Sequence, residues 1–125
     1  MNTTGQAAAV LPNVIAAYIE AVNVFDTDAI MATFADDALV NDVRREFSNS
    51  ASIRAWARHE LVDDKVTLSV TEVARHDTMT IVRARYDGDY DKTNLPDELV
   101  LTNYLTVADG KISSLIIVHN QPSPY

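Results

Sequence analysis

The sequence predicts an α+β fold: one small domain in which N-terminal helices cover a cone-shaped, curved antiparallel sheet and enclose a single pocket. Three observations predict it. Apolar residues recur at helical spacing as far as Leu61, the period changes to two beyond Asp64, and Asp109-Gly110 joins the last two extended runs with a tight-hairpin signal. Helices first and strands afterwards define the class, and an antiparallel sheet covered on one face can curl around a cavity.

Leu11, Val14, Ile15, Tyr18, Ile19, Val22 and Phe25 fall on one stripe and predict a first helix from about Ala8 to Val24. Tyr18 lies on the buried side. Asp26 or Thr27 can cap a short second helix carrying Ile30, Met31 and Phe34, after which Ala38–Asp42 reads as extended and ends in a carboxylate. Ser48, Asn49 and Ser50 are capping residues before a third helix bearing Ile53, Trp56, Ala57, Glu60 and Leu61. Val66, Leu68 and Val70 then alternate with Thr67, Ser69 and Thr71, and the runs Met79–Asp87, Leu99–Val107 and Lys111–Val118 are rich in β-branched residues. These are four strands, the first pair turned at His76-Asp77.

With 125 residues, 47% of them hydrophobic, one core suffices for residues 1–125, and no repeat or linker divides the chain. Residues 120–125, with Pro122-Ser123-Pro124, read as a tail. Cysteine is absent, which suits a reducing compartment, so the cytoplasm is the expected location. No basic segment precedes an apolar run, and no stretch approaches the roughly 20 apolar residues that span a bilayer, so no membrane association is expected. Ten Lys+Arg against 18 Asp+Glu give a net charge of −8, which repels phosphate backbones and makes nucleic acid a poor partner.

A phenol inside a helical stripe at Tyr18, the run Phe34-Ala35-Asp36-Asp37-Ala38, a strand-end carboxylate at Asp42, Ile53-Arg54-Ala55-Trp56 and the hairpin around Asp109-Gly110-Lys111-Ile112 follow one another in order. This order resembles the nuclear transport factor 2-like superfamily, closest to its ketosteroid isomerase and SnoaL-like branch. In the isomerases the base is a strand-end aspartate, and the oxyanion donors are a helix tyrosine and a protonated aspartate. The resemblance places the base on Asp42, the phenol on Tyr18 and the second donor on Asn103, where an amide replaces the acid but keeps an N–H to donate. It implies a homodimer and no cofactor or metal.

Alternation puts Leu99, Leu101, Leu105 and Val107 on the face of Asn103 as an apolar wall, and Leu115, Ile117 and His119 on one face of the last strand. His119 stands where the isomerases carry an aromatic pocket residue. Arg44 follows Asp42 closely enough to pair with it, which favours the ionised carboxylate and suits a substrate with a polar group. Trp56 is a core residue or a ligand platform. The acidic run Asp87–Lys92 matches part of a calcium-loop pattern, but Lys92 stands where the glycine belongs, so a solvated loop, or a lid, is the expectation.

The expected chemistry is proton transfer on a small hydrophobic, carbonyl-containing ligand, with Asp42 as base and Tyr18 and Asn103 stabilising the enolate. Isomerisation and aldol-type ring closure both start there. Bland readings stand beside these: a core tyrosine at Tyr18, a capping carboxylate at Asp42 and a buried amide bonded to backbone at Asn103. Three functional alternatives remain open at this point. They are a non-catalytic binder, an association module using the outer face with Val100, Thr102 and Tyr104, and a hydrolase or dehydratase using Asp42 and His119.

Overall fold

The protein was studied as a computed structural model that describes residues 11–119 apart from 94 and 97. The expected tail at 120–125 and the first three residues of the expected helix, Ala8 to Val10, lie outside the described residues. Helix α1 spans Asn13–Asn23, with Pro12 at its N-cap. It begins later than the apolar stripe suggests because a proline disfavours helical geometry in the residue before it. Leu11 is left outside the helix, packed against the core. At the other end Phe25 adopts a left-handed φ of 60°, and Asp26 N–H donates to the Ala21 carbonyl, which closes the last turn.

Asp26 caps α2 (Thr27–Met31) by accepting from the Ala29 amide at 3.0 Å. Strand β1 (Phe34–Asp42) turns directly into β2 (Arg45–Phe47), so the extended segment starts earlier than Ala38 and gains a short partner. Asn49 and Ser52 form a reciprocal capping box at the start of α3 (Ser50–Trp56). The helix then widens into a π-helical segment (Ala57–Val62), where the Asp63 amide donates to the Arg58 carbonyl. Four further strands follow: β3 (Thr67–His76), β4 (Met79–Asp87), β5 (Leu99–Ala108) and β6 (Lys111–His119). Asp109 (φ 53°) and Gly110 (φ 76°) both sit in the left-handed region that a tight hairpin requires.

The sheet is curved and open, with strand order β2-β1-β6-β5-β4-β3. Its local pairings are antiparallel as expected. One is not: β1 runs parallel to β6, with Val40 beside Leu115 and Asp42 beside Ile117. Hairpin signals report neighbours in sequence, and this pair is joined through the whole domain, so no local signal marks it. Helix α1 packs on β3 and β6, and α3 on β1 and β2, burying Ile15, Val22, Ile53, Trp56, Leu105 and Leu115 on the concave face.

Candidate active site

Strand register places Asp42 and Asn103 on one row of the concave face. Asp42 lies beside Ile117, Ile117 beside Asn103, and Asn103 beside Val82. With strands about 4.8 Å apart, the backbones of Asp42 and Asn103 stand about 10 Å from each other. The buried Ile117 side chain lies between them, and Asp42 is not among the residues lining the cavity at Asn103.

Asp42 is held by two donors on the same oxygen. Trp56 Nε1 and Arg45 Nη2 each lie 3.0 Å from Oδ2, and among the described residues Oδ1 has no hydrogen-bond partner. Trp56 is fully packed and tilts against Phe47, so it is both a core residue and a carboxylate ligand. Arg45 in turn donates to both oxygens of Glu60, at 2.9 Å each. These bonds keep the guanidinium firmly protonated and hold the Glu60 carboxyl below its usual range, against the opposing effect of burial. Trp56 and Glu60 are four residues apart on continuous helical chain, a spacing that puts them on one face.

The expected partner of Asp42 was Arg44, and the structure corrects this to Arg45. A two-residue turn faces its first residue with its fourth, so Asp42 opposes Arg45 while Arg44, at φ 75°, is exposed.

Tyr18 is buried from α1, edge-on to Phe34 with ring centroids 5.7 Å apart. Burial, then the neighbouring Tyr86 and the Asp42 charge, push its phenol well above its ordinary value. Among the described residues its hydroxyl makes no hydrogen bond. Asn103 is buried, accepts from the Tyr86 hydroxyl at 2.8 Å and donates to the Val82 carbonyl at 3.2 Å. Tyr18, Asn103 and Leu105 line a narrow cavity with Ile15, Ile19 and Leu68, of about 10 Å³, room for about one water molecule.

The remaining expected residues fall around this site. Ile117 is buried between Asp42 and Asn103, and Leu101 packs in the core one row away. His119 follows Ile117 on the same side of β6 but is exposed at the strand end. Arg45, Glu60 and Tyr86 were not singled out from sequence. Tyr86 had a signal, since Thr80, Val82, Ala84 and Tyr86 alternate inward along β4, but Ile81 on the opposite face blurred it. In the acidic loop the Lys92 ammonium lies 2.8 Å from Asp87, and among the described residues no group of three or more His, Asp or Glu side chains is placed to hold a metal.

Helices laid over a curved open sheet, with an inward aspartate at a strand end, define the nuclear transport factor 2-like class. Within it, the chain belongs to the SnoaL-like domain family, whose profile matches residues 15–115. A candidate polyketide cyclase from Sinorhizobium meliloti is similar at 28% identity and a TM-score of 0.77, over 86% of this chain and 95% of that one. A protein of ketosteroid isomerase-like fold from Catenulispora acidiphila, solved with trimethylamine, matches at 17% identity and a TM-score of 0.75, over 89% and 88% of the two chains. SalBIII, an epoxide hydrolase/cyclase-like enzyme of pyran ring formation in salinomycin, matches at 20% identity and a TM-score of 0.74, over 86% and 88%. No curated protein matches the sequence. Among the described residues no helix is long and apolar enough to cross a membrane.

Proposed function

We propose that the chain is a cofactor-independent enzyme of enolate chemistry, an isomerase or aldol-type cyclase acting on a small, mostly apolar carbonyl compound. The observation that carries this reading is the Asp42 carboxylate, anchored through Oδ2 alone, with Oδ1 unpartnered among the described residues on the row that leads to Asn103. Oδ1 takes a proton from the carbon beside the carbonyl, and the C–H electron pair becomes the enolate. The Tyr18 O–H and the spare N–H of Asn103 donate to the enolate oxygen. Returning the proton to another carbon gives isomerisation, and attack of the carbanion on a second carbonyl closes a ring. Similarity to the Sinorhizobium protein supports the cyclase branch.

Solvent deuterium incorporation into enolisable ketones and enones, followed by NMR, tests the reading. Wild type accelerates exchange, and Asp42→Asn loses about 10²–10⁴ of the rate, as expected for a missing general base. Absence of exchange with compounds that bind with equal affinity to both forms would sink it and leave a non-catalytic binder. The alternative based on Asp42 and His119 draws no support, because His119 is exposed and no polar contact between the two occurs among the described residues.

The reading includes a homodimer formed through the convex face. There Ala74, Ile81, Tyr104 and Ile116 lie side by side across four strands, and Ile116 and Val118 are exposed. The mass in solution tests it.

A further inference from the structure

The outer side of α3 and its π-helical continuation carries a charge pattern that the Asp42 site does not use. Arg54 and Arg58 stand four residues apart there, so their side chains share one stripe, with His59 beside them. Together with Ala51, Ala55 and Thr27 at the start of α2, they line an open groove of about 380 Å³, within the size range of small-molecule sites. Trp56 and Glu60, which serve the Asp42 network, take no part in this lining.

The carboxylates beside the groove leave one of its cations uncommitted. Asp28 accepts from Arg54 Nη1 at 2.7 Å, which ties that guanidinium to α2 and offsets its charge, and Asp63 lies 3.4 Å from His59 Nδ1. The Arg58 guanidinium is exposed and pairs with no carboxylate among the described residues. Arg58 therefore supplies the net attraction. Two guanidinium forks side by side suit a group with several oxygen acceptors and more than one negative charge. The chain's net charge of −8 does not prevent this, because exposed charges beyond about 8 Å are largely screened at physiological salt. A polyanion reaches past that distance and meets the repulsion, so the ligand is small. We propose that this groove binds a small phosphate monoester, with Arg58 and Arg54 donating to the phosphoryl oxygens and the organic part lying over the methyl groups of Ala51 and Ala55.

NMR titration of the whole chain with phenyl phosphate, inorganic phosphate and phenol tests this. Phenyl phosphate shifts the resonances of Ala51, Ala55 and Arg58, and phenol leaves them in place. Arg58→Ala weakens phenyl phosphate binding at least about tenfold, the loss expected for a charge-assisted bond, whereas Arg58→Lys keeps the charge, loses the fork and costs less. Asp28→Asn strengthens binding by removing the competing carboxylate. Arg75→Ala, which removes an exposed arginine of β3, leaves affinity unchanged. Equal losses in Arg58→Ala and Arg75→Ala would reduce the effect to general attraction between charges and overturn the site, as would the absence of shifts at the groove. Inorganic phosphate bound as tightly as phenyl phosphate would overturn the monoester and make free phosphate the ligand. These substitutions lie at exposed positions outside the Asp42 network, so the enzyme reading stands or falls separately.

Discussion

At the residue scale the site is a set of shared hydrogen bonds around two carboxylates and one guanidinium. Arg45 reaches Asp42 with one nitrogen and Glu60 with two, so Glu60 is what holds the fork still. The Glu60 carboxyl is held below its ordinary value of 4.5, chiefly by the Arg45 hydrogen bond. A carboxyl depressed on folding stabilises the native state above its unfolded value, and that contribution is lost as pH falls through the folded value. Thermal unfolding of wild type and Glu60→Gln should therefore differ at pH 7 and converge as the pH is taken well below 4.5. Both partners are more than a third exposed, which limits the gap at neutral pH to less than about 1 kcal/mol. A gap that persisted undiminished at acid pH would show that Glu60 acts there without its charge. None of this network was legible in the sequence except Asp42 and Trp56 themselves. Arg45 and Glu60 meet across a turn and a helix, and sequence spacing carries no information about which of two adjacent arginines faces inward. Tyr18 and Asn103 were legible because helical and strand periods fix their faces.

At the element scale the turn between β1 and β2 is strained. Val43 and Arg44 both occupy the left-handed region, at φ 48° and 75°, and a β-branched residue there is sterically costly. The turn survives because the Val43 amide donates to the Ile117 carbonyl at 3.0 Å and Arg45 pairs across it. The double substitution Val43→Asn with Arg44→Gly supplies the residue types that this turn geometry favours. It should stabilise the fold by about 1 kcal/mol, read as a higher denaturant midpoint at unchanged slope. A lower midpoint would mean that the native side chains outweigh the backbone cost. The same sequence feature explains why β2 was missed. Val43-Arg44 carries none of the glycine or asparagine that marks a tight hairpin, whereas Asp109-Gly110 does and was read correctly. The widened helical turn at Ala57–Val62 was equally silent, since no residue type encodes it.

At the scale of the whole molecule, the helix-then-strand order was enough for the fold class, and the hairpin signals supplied the pairings of β3 with β4 and of β5 with β6. The parallel closure of β1 on β6 came from neither. It also shapes the convex face, because Asn41 of β1 lies beside Ile116 at the edge of the apolar row. If that row pairs two copies, Tyr104→Glu places charge at its centre, and sedimentation should report half the wild-type mass. An unchanged mass would exclude this face as the interface.

The parallel pairing also sets when the site can come into being. Asp42 is laid down early in synthesis and Asn103 late, and they share a row only because Ile117 of the last strand lies between them. Until β6 is added, β1 has only the three-residue β2 beside it, and its other edge is open. Pairings this distant along the chain form slowly, since loop closure must come before any contact compensates it. A chain in which β6 has not yet docked thus carries Asp42 and Asn103 without the row that sets them side by side, and the candidate site is complete only once the sixth strand is in place.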